Sequence, residues 1–316
     1  MNRLPDYFFL TRPILFFPGW ATLLAGFAAA FWPKQLVPFF PPPAFSPLYW
    51  HPRLALAMLS FAAAMGGCFI LNQLQDIHSD RENNKLFLIG EGVVSLQAAR
   101  IEAGLLLLLS FLTAARIGRE FLFCTVIFIL ITGALYNYRP FSLKNRPLGG
   151  LTANILMGWL AFALGRLLIV PFDIELFVAS LPYVFFNTAL YFLTTLPDYD
   201  GDLAAGKITF PVRYGKSFTI LISAACWAIG LTLAVYLQNY TMTTVSAVTG
   251  FFMVRLLSKR TVEVAVVTLK AGIAALALTM CLFFPAFLLL LIVLFFSTRY
   301  YYRKRFNFDY PNFRGR

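Results

Sequence analysis

Two short acidic segments stand out in a chain that otherwise avoids charge: Asn72-Gln-Leu-Gln-Asp76-Ile-His-Ser-Asp80 and Leu196-Pro-Asp198-Tyr-Asp200-Gly-Asp202. On a helix, residues four apart share one face. Asn72, Asp76 and Asp80 have that spacing, and Asp198 and Asp202 repeat it. Carboxylates beside hydrocarbon are costly and mark function there. Hard oxygen ligands of this kind suit Mg²⁺, which takes one or two carboxylates and fills its shell with waters and phosphate oxygens. Two such faces meeting over one pocket can hold cations around a diphosphate. The diphosphate then leaves more readily, because the charge that develops as its C–O bond breaks is stabilised. Arg139, Lys144 and Arg146 can neutralise the remaining phosphate charge.

The elements that carry these groups must be membrane helices. The chain is 59% hydrophobic and 13% charged, with a mean hydropathy of +0.73, whereas a soluble domain is nearer a quarter charged. Apolar runs of about twenty residues predict spans near 14–32, 55–75, 97–115, 120–138, 148–168, 174–196, 217–237, 240–256, 264–283 and 286–300. The fold class is therefore all-α, a polytopic transmembrane bundle. It reads as one domain over 1–316, with a core of about 10–283, then a further apolar segment and basic tail over 286–316. Pro285 predicts a tight reversal between the last two spans. Arg12-Pro13 leads straight into the first span with no cleavage site for a secretory signal. Cys68, Cys124, Cys226 and Cys281 lie far apart in apolar runs and read as small buried hydrophobes.

The net charge of +12 is placed as a membrane topology signal rather than a nucleic-acid surface. With ten spans, twenty basic residues fall on one side and five (Lys34, Arg53, Arg116, Arg119 and Arg166) on the other, so the richer side is expected in the cytoplasm. Both termini and both acidic segments go with it. The acidic segments follow the second and sixth spans, and each is followed by basic residues: Arg81 and Lys85 after the first, Lys207 and Arg213 after the second. The repeat suggests a pseudo-symmetric bundle around a shared cavity. Gly66-Gly67 permits close helix packing just before the first acidic segment.

The motifs together resemble the UbiA superfamily of intramembrane prenyltransferases. The first family motif, N-D/Q-x-x-D-x-x-x-D, is matched by Asn72-Gln73 through Asp80. A middle element, Y-S-x-x-P-x-x-x-K, is similar to Tyr136-Asn-Tyr-Arg-Pro140-Phe-Ser-Leu-Lys144. The second acidic motif and its G-x-x-T continuation resemble Thr195 through Asp202 and Gly206-Lys-Ile-Thr209. Thr195 (or Thr194) stands where many members carry a further Asp, and Asp200 could compensate. The last apolar segment extends beyond the nine-helix family core.

The resemblance implies Mg²⁺-dependent transfer of a prenyl group from a polyprenyl diphosphate to a hydrophobic or aromatic acceptor. It implies metal and diphosphate binding by Asn72, Asp76, Asp80, Asp198 and Asp202, diphosphate contact by Lys144, and Tyr136 near the reacting carbon. Arg81, Lys85, Arg139, Arg146, Lys207 and Arg213 are candidates for phosphate contact or loop closure. Asn154 and Asn187, polar residues inside apolar spans, can line the cavity or join helices. The expected acceptor is an aromatic ring of the quinone- or tocopherol-precursor kind. The alternatives are a lipid, tetrapyrrole or carotenoid acceptor, or, in another class, a cation-coupled transporter.

Overall fold

The computed structural model describes residues 4–31, 52–77 and 88–311. Among them the chain is helical throughout. Leu4–Leu10 forms a short helix α1, and a 3₁₀ turn over Pro13–Leu15 leads into α2, Phe16–Phe31. Then come α3 (Pro52–Gln75), α4 (Leu96–Ile117) and α5 (Arg119–Ile129), which runs on as a π-helical turn over Leu130–Leu135. A 3₁₀ turn at Leu143–Asn145 precedes α6 (Pro147–Arg166) and α7 (Ile174–Thr194). Two short helices follow, α8 (Tyr199–Ala204) and α9 (Phe210–Tyr214). The chain ends with α10 (Lys216–Tyr236), α11 (Tyr240–Lys259), α12 (Val262–Phe283) and α13 (Pro285–Phe306).

Among the described residues nine helices are long and apolar enough to cross a membrane. The tenth expected span is the one over 119–135, and it is interrupted by the π-helical turn. Its regular helix stops at Ile129 rather than running to 138, because Tyr136 N–H bonds to Ile131 C=O, five residues back. The last span exceeds its expected end at 300 and takes Arg303, Lys304 and Arg305 into its final turn.

The reversal at Pro285 is observed. Phe284 leaves helical geometry, and its ring lies 5.9 Å from that of Phe27 near the end of α2. At the other end of α13, Tyr301 stacks on Phe9 at 4.0 Å between centroids. Arg305 also pairs with Asp6 at 3.2 Å. Helix α13 thus reaches from the end of α2 at Phe27 back to α1 at Asp6 and Phe9. Its 22 residues cover about 33 Å at 1.5 Å each, long enough for a full span. It also brings the described N-terminal and C-terminal ends together, with Phe9 on Tyr301 and Asp6 on Arg305.

Small residues set the helix spacing. A methyl at Gly26 would run into the carbonyl of Phe162, and one at Gly165 into that of Leu23, so α2 and α6 touch backbone to backbone. Gly66 faces Thr11 and Phe16, and Gly67 faces Leu107 on α4, as the sequence led us to expect. Polar side chains add bonds between helices: Trp20 Nε1 to Met58 O (2.9 Å), Ser223 Oγ to Ala189 O (2.8 Å) and Trp227 Nε1 to Ser246 O (3.0 Å). Cys68, Cys124 and Cys281 are buried free thiols, and Cys226 is half-buried.

Candidate active site

Helix α3 carries Asn72, and its last turn continues through Asp76, whose N–H bonds to Asn72 C=O at 3.0 Å. One turn apart, the two side chains meet: Asn72 Nδ2 donates to Asp76 Oδ2 at 3.0 Å. Asp76 Oδ2 also accepts from Lys144 Nζ at 2.6 Å.

Lys144 is brought there by the π-helical turn. The altered pitch leaves carbonyls at the end of α5 without their usual donors, and Asn137 supplies replacements. Its Nδ2 donates to Thr132 O (2.8 Å) and Gly133 O (3.1 Å). That fixes the amide orientation and turns Oδ1 toward the site, where it accepts from Asn72 (2.7 Å) and Lys144 (3.3 Å). Gly133 lets the turn lie against α3, since an added methyl would sit 3.3 Å from Cys68 Sγ. Asn137 is 4% exposed. It is therefore the hub that ties the first acidic segment to Lys144. π-turns of this kind recur at functional sites.

Tyr136 joins the two halves. The Asn154 side chain, Asp76, Asp198 and Asp202 all lie close enough to its hydroxyl to act on it electrostatically. Asp198 and Asp202 bracket the first turn of α8, where Asp202 N–H bonds to Asp198 O at 2.8 Å. Tyr191 on α7 lies near Tyr136 and Asp202. Its hydroxyl sits where a side chain on Gly150 would be.

Below this polar head is a cavity of about 280 Å³. Its walls are largely apolar, including Phe61, Phe69, Phe128 and Leu190. Asn154, Asn187, Thr132, Tyr191 and Thr194 are the polar residues of its lining. Asn187 Nδ2 reaches Thr22 Oγ1 at 3.4 Å, so it both lines the cavity and joins two helices. Thr132 is 8% exposed, and its hydroxyl finds no hydrogen-bond partner among the described residues.

Other expected residues lie elsewhere. Asp200 does not contribute to the head: it is 85% exposed at its side chain and pairs with Lys216 at 3.3 Å. The Lys216 ammonium also sits over the Tyr199 ring, 4.1 Å from its centroid. Thr195 turns its hydroxyl back to Phe192 O (2.8 Å), so it replaces no carboxylate ligand. Arg139, Arg146 and Arg213 are exposed, and Arg146 bonds the Pro140 carbonyl at 3.0 Å. Lys207 is half-buried, with its N–H on Asp202 O at 2.9 Å. Asp80, Arg81 and Lys85 lie outside the described residues. Among the described residues, no three carboxylate, imidazole or thiol side chains group closely enough to hold an ion by themselves. The carboxylate and amide oxygens that do gather suit a metal sharing its shell with phosphate.

Sequence reasoning missed Asn137, Thr132 and Tyr191. The available signal was weak: a polar residue at or inside an apolar span, next to the Tyr136–Lys144 element or the second acidic segment.

The model of the UbiA prenyltransferase family matches residues 20–263. A digeranylgeranylglyceryl phosphate synthase from Methanobrevibacter smithii is 29% identical over 196 residues, covering 59% of this chain and 67% of that protein. Its counterpart from Methanococcus aeolicus is 26% identical over 195 residues, covering 58% and 68%. Among solved structures, a UbiA homologue from Archaeoglobus fulgidus bound to GPP and Mg²⁺ superimposes with a TM-score of 0.66 at 22% identity. It covers 89% of this chain and 99% of the other. A homologue from Aeropyrum pernix K1 gives 0.59 at 15% identity, covering 92% and 98%. At such identities the structural likeness speaks for the fold.

Proposed function

The chain belongs to the UbiA prenyltransferase family, and from that premise we propose that it transfers a prenyl group from a polyprenyl diphosphate to the hydroxyl of a glycerol-phosphate lipid, with Mg²⁺ bound at the acidic head. The supporting observation is the link through Asn154. It lines the apolar cavity and also lies beside the Tyr136 hydroxyl, on which Asp76, Asp198 and Asp202 act electrostatically. A substrate with an apolar tail and a highly charged head fits that continuity. A transported ion would need neither the tail chamber nor Lys144.

In this reading Asn72, Asp76, Asp198 and Asp202 hold the metal, and Asp80 completes the first segment. When bound, Mg²⁺ supplies Lewis-acid charge that favours departure of diphosphate. Asn137 and Asn72 hold Asp76 in place. Lys144 neutralises phosphate oxygens next to the metal. Tyr136, beside the cavity-lining Asn154, supplies an aromatic ring that stabilises the positive charge developing on the prenyl carbon. Lys207 and the exposed arginines Arg139, Arg146 and Arg213, with Arg81 and Lys85, guide the anionic substrates in. Asn154 and Asn187 set the polar edge of the cavity. Following the distribution of basic residues, we place the head on the cytoplasmic face.

The lipid acceptor replaces the aromatic ring expected from sequence. Its support is that the curated relatives named above are synthases of a prenylated glyceryl phosphate. Purified protein given geranylgeranyl diphosphate, Mg²⁺ and a panel of glycerol-phosphate ethers and aromatic acids should yield a prenylated glycerol ether by mass spectrometry. Transfer only to the aromatic acids would reject the lipid reading and restore the aromatic one.

A further inference from the structure

Away from the acidic head, a groove of about 470 Å³ runs between α1 and the last two turns of α13. Pro5, Phe9, Tyr300 and Tyr301 form its walls, and Lys304 and Arg305 stand at its polar end. We propose that this groove binds one anionic phospholipid, with its phosphate at Lys304 and its upper acyl chain against the aromatic walls.

Three observations select that occupant. The first is position. The groove lies where α13 passes from its apolar run into the Tyr300–Arg305 segment, as at a membrane–water boundary. The second is surroundings. Leu4 and Phe8 on α1 and Phe296 on α13 are 73%, 48% and 62% exposed, which is apolar surface that bilayer lipid covers. The third is charge. Asp6, the acid lining the groove, is 3% exposed and already engaged by the Tyr301 hydroxyl and by Arg305 at 3.2 Å. Its charge is thus offset inside the groove. Lys304 is exposed and is held against Tyr300, with Nζ 3.2 Å from the hydroxyl and 5.5 Å from the ring centroid. A cation at the mouth of an aromatic-walled groove matches a lipid phosphate with its chain. Free phosphate would leave the walls wet.

The test is thermal unfolding and native mass spectrometry of the full chain, purified and reconstituted in phosphatidylcholine nanodiscs with or without phosphatidylglycerol. Wild type should retain one phosphatidylglycerol in preference to phosphatidylcholine and melt higher in its presence. Lys304→Gln should reduce retention at least fivefold and remove most of the melting shift, while Arg255→Gln, an exposed arginine on α11, should change neither. Ser297→Phe keeps every cation but fills the groove, and it too should lose retention. This variant keeps the test open if Lys304→Gln folds poorly. Equal retention of both lipids, an equal shift with inorganic phosphate alone, or equal loss in Arg255→Gln would overturn the proposal.

Discussion

Lys144 Nζ lies 2.6 Å from Asp76 Oδ2 although 68 residues separate them in the chain. The pair is mostly shielded, with side-chain exposures of 11% and 17%. Asn72 donates to Asp76 and Asn137 accepts from Lys144. A charge pair held this way is a poor stability device, since desolvation offsets much of the attraction. It is a good way to keep a carboxylate aimed.

Asp76→Asn should therefore lower kcat/KM for the prenyl diphosphate by about 10²–10³-fold, the scale of losing one stabilising charge at a developing anion, here through a weaker hold on the metal. Asp198→Asn should do the same from the other segment. Radiolabelled prenyl transfer against a Mg²⁺ titration measures both, and chelation with EDTA should stop wild-type turnover. Full activity in both variants would remove the acidic head from the mechanism.

Asn137→Ala removes a group that touches the ligating side chains rather than the substrate. Changes at that distance cost about 10–100-fold in metal affinity. The Mg²⁺ concentration for half-maximal rate should rise accordingly, with the rate at saturating Mg²⁺ much less affected. A fall in maximal rate at unchanged Mg²⁺ dependence would show that Asn137 does not act through the metal ligands.

Thr132→Val keeps the shape and deletes the buried cavity hydroxyl. Were that hydroxyl only structural, its removal would be neutral or stabilising, because it has no partner among the described residues to lose. We expect a Tm at or above wild type with a several-fold rise in KM for the prenyl diphosphate or acceptor. An unchanged KM for both would relieve Thr132 of any role toward substrate.

Gly26→Ala should lower the Tm and the yield of folded protein, on the order of 1–3 kcal/mol of overpacking, because the obstacle is the Phe162 carbonyl rather than a side chain that can swing away. Gly104→Ala is the control. Nothing lies within 4 Å of the added methyl, so its Tm should match or exceed wild type.

At the opposite end of the bundle, Asp173 caps α7 by accepting Leu176 N–H at 2.8 Å and pairs with the 4% exposed Arg166 at 2.9 Å. Burial would raise its carboxyl pKa, but the Leu176 N–H and the Arg166 guanidinium outweigh it and hold it below the usual value of 3.8. A carboxyl with a depressed folded pKa adds stability above its unfolded pKa and loses it as pH falls through the folded value. Asp173→Asn should thus melt lower than wild type at pH 7, with the gap closing below about pH 3.9. A gap that stays constant down to pH 3 would show that the carboxylate charge is not what stabilises this turn.

The sequence determined the membrane helices and the two acidic segments followed by basic residues, and it singled out Asp76, Asp198, Lys144 and Tyr136 as candidates. These follow from hydropathy and from four-residue spacing, which are local properties. Asn154 and Asn187 were legible for a related reason: a polar residue in an apolar run needs a partner or a polar cavity. Tertiary structure alone decided which carboxylates share a site. Asp198 and Asp202 turn toward Tyr136, while Asp200, two residues from each, turns away to Lys216. It also decided that Asn137 is the hub and that Thr132 lines the cavity, because both depend on the extra residue per turn that Leu130–Leu135 takes up where Gly133 lies against Cys68. A change of helical pitch rotates every later side chain. Only packing against a neighbouring helix fixes where it occurs, and a single strand of sequence does not contain its neighbours.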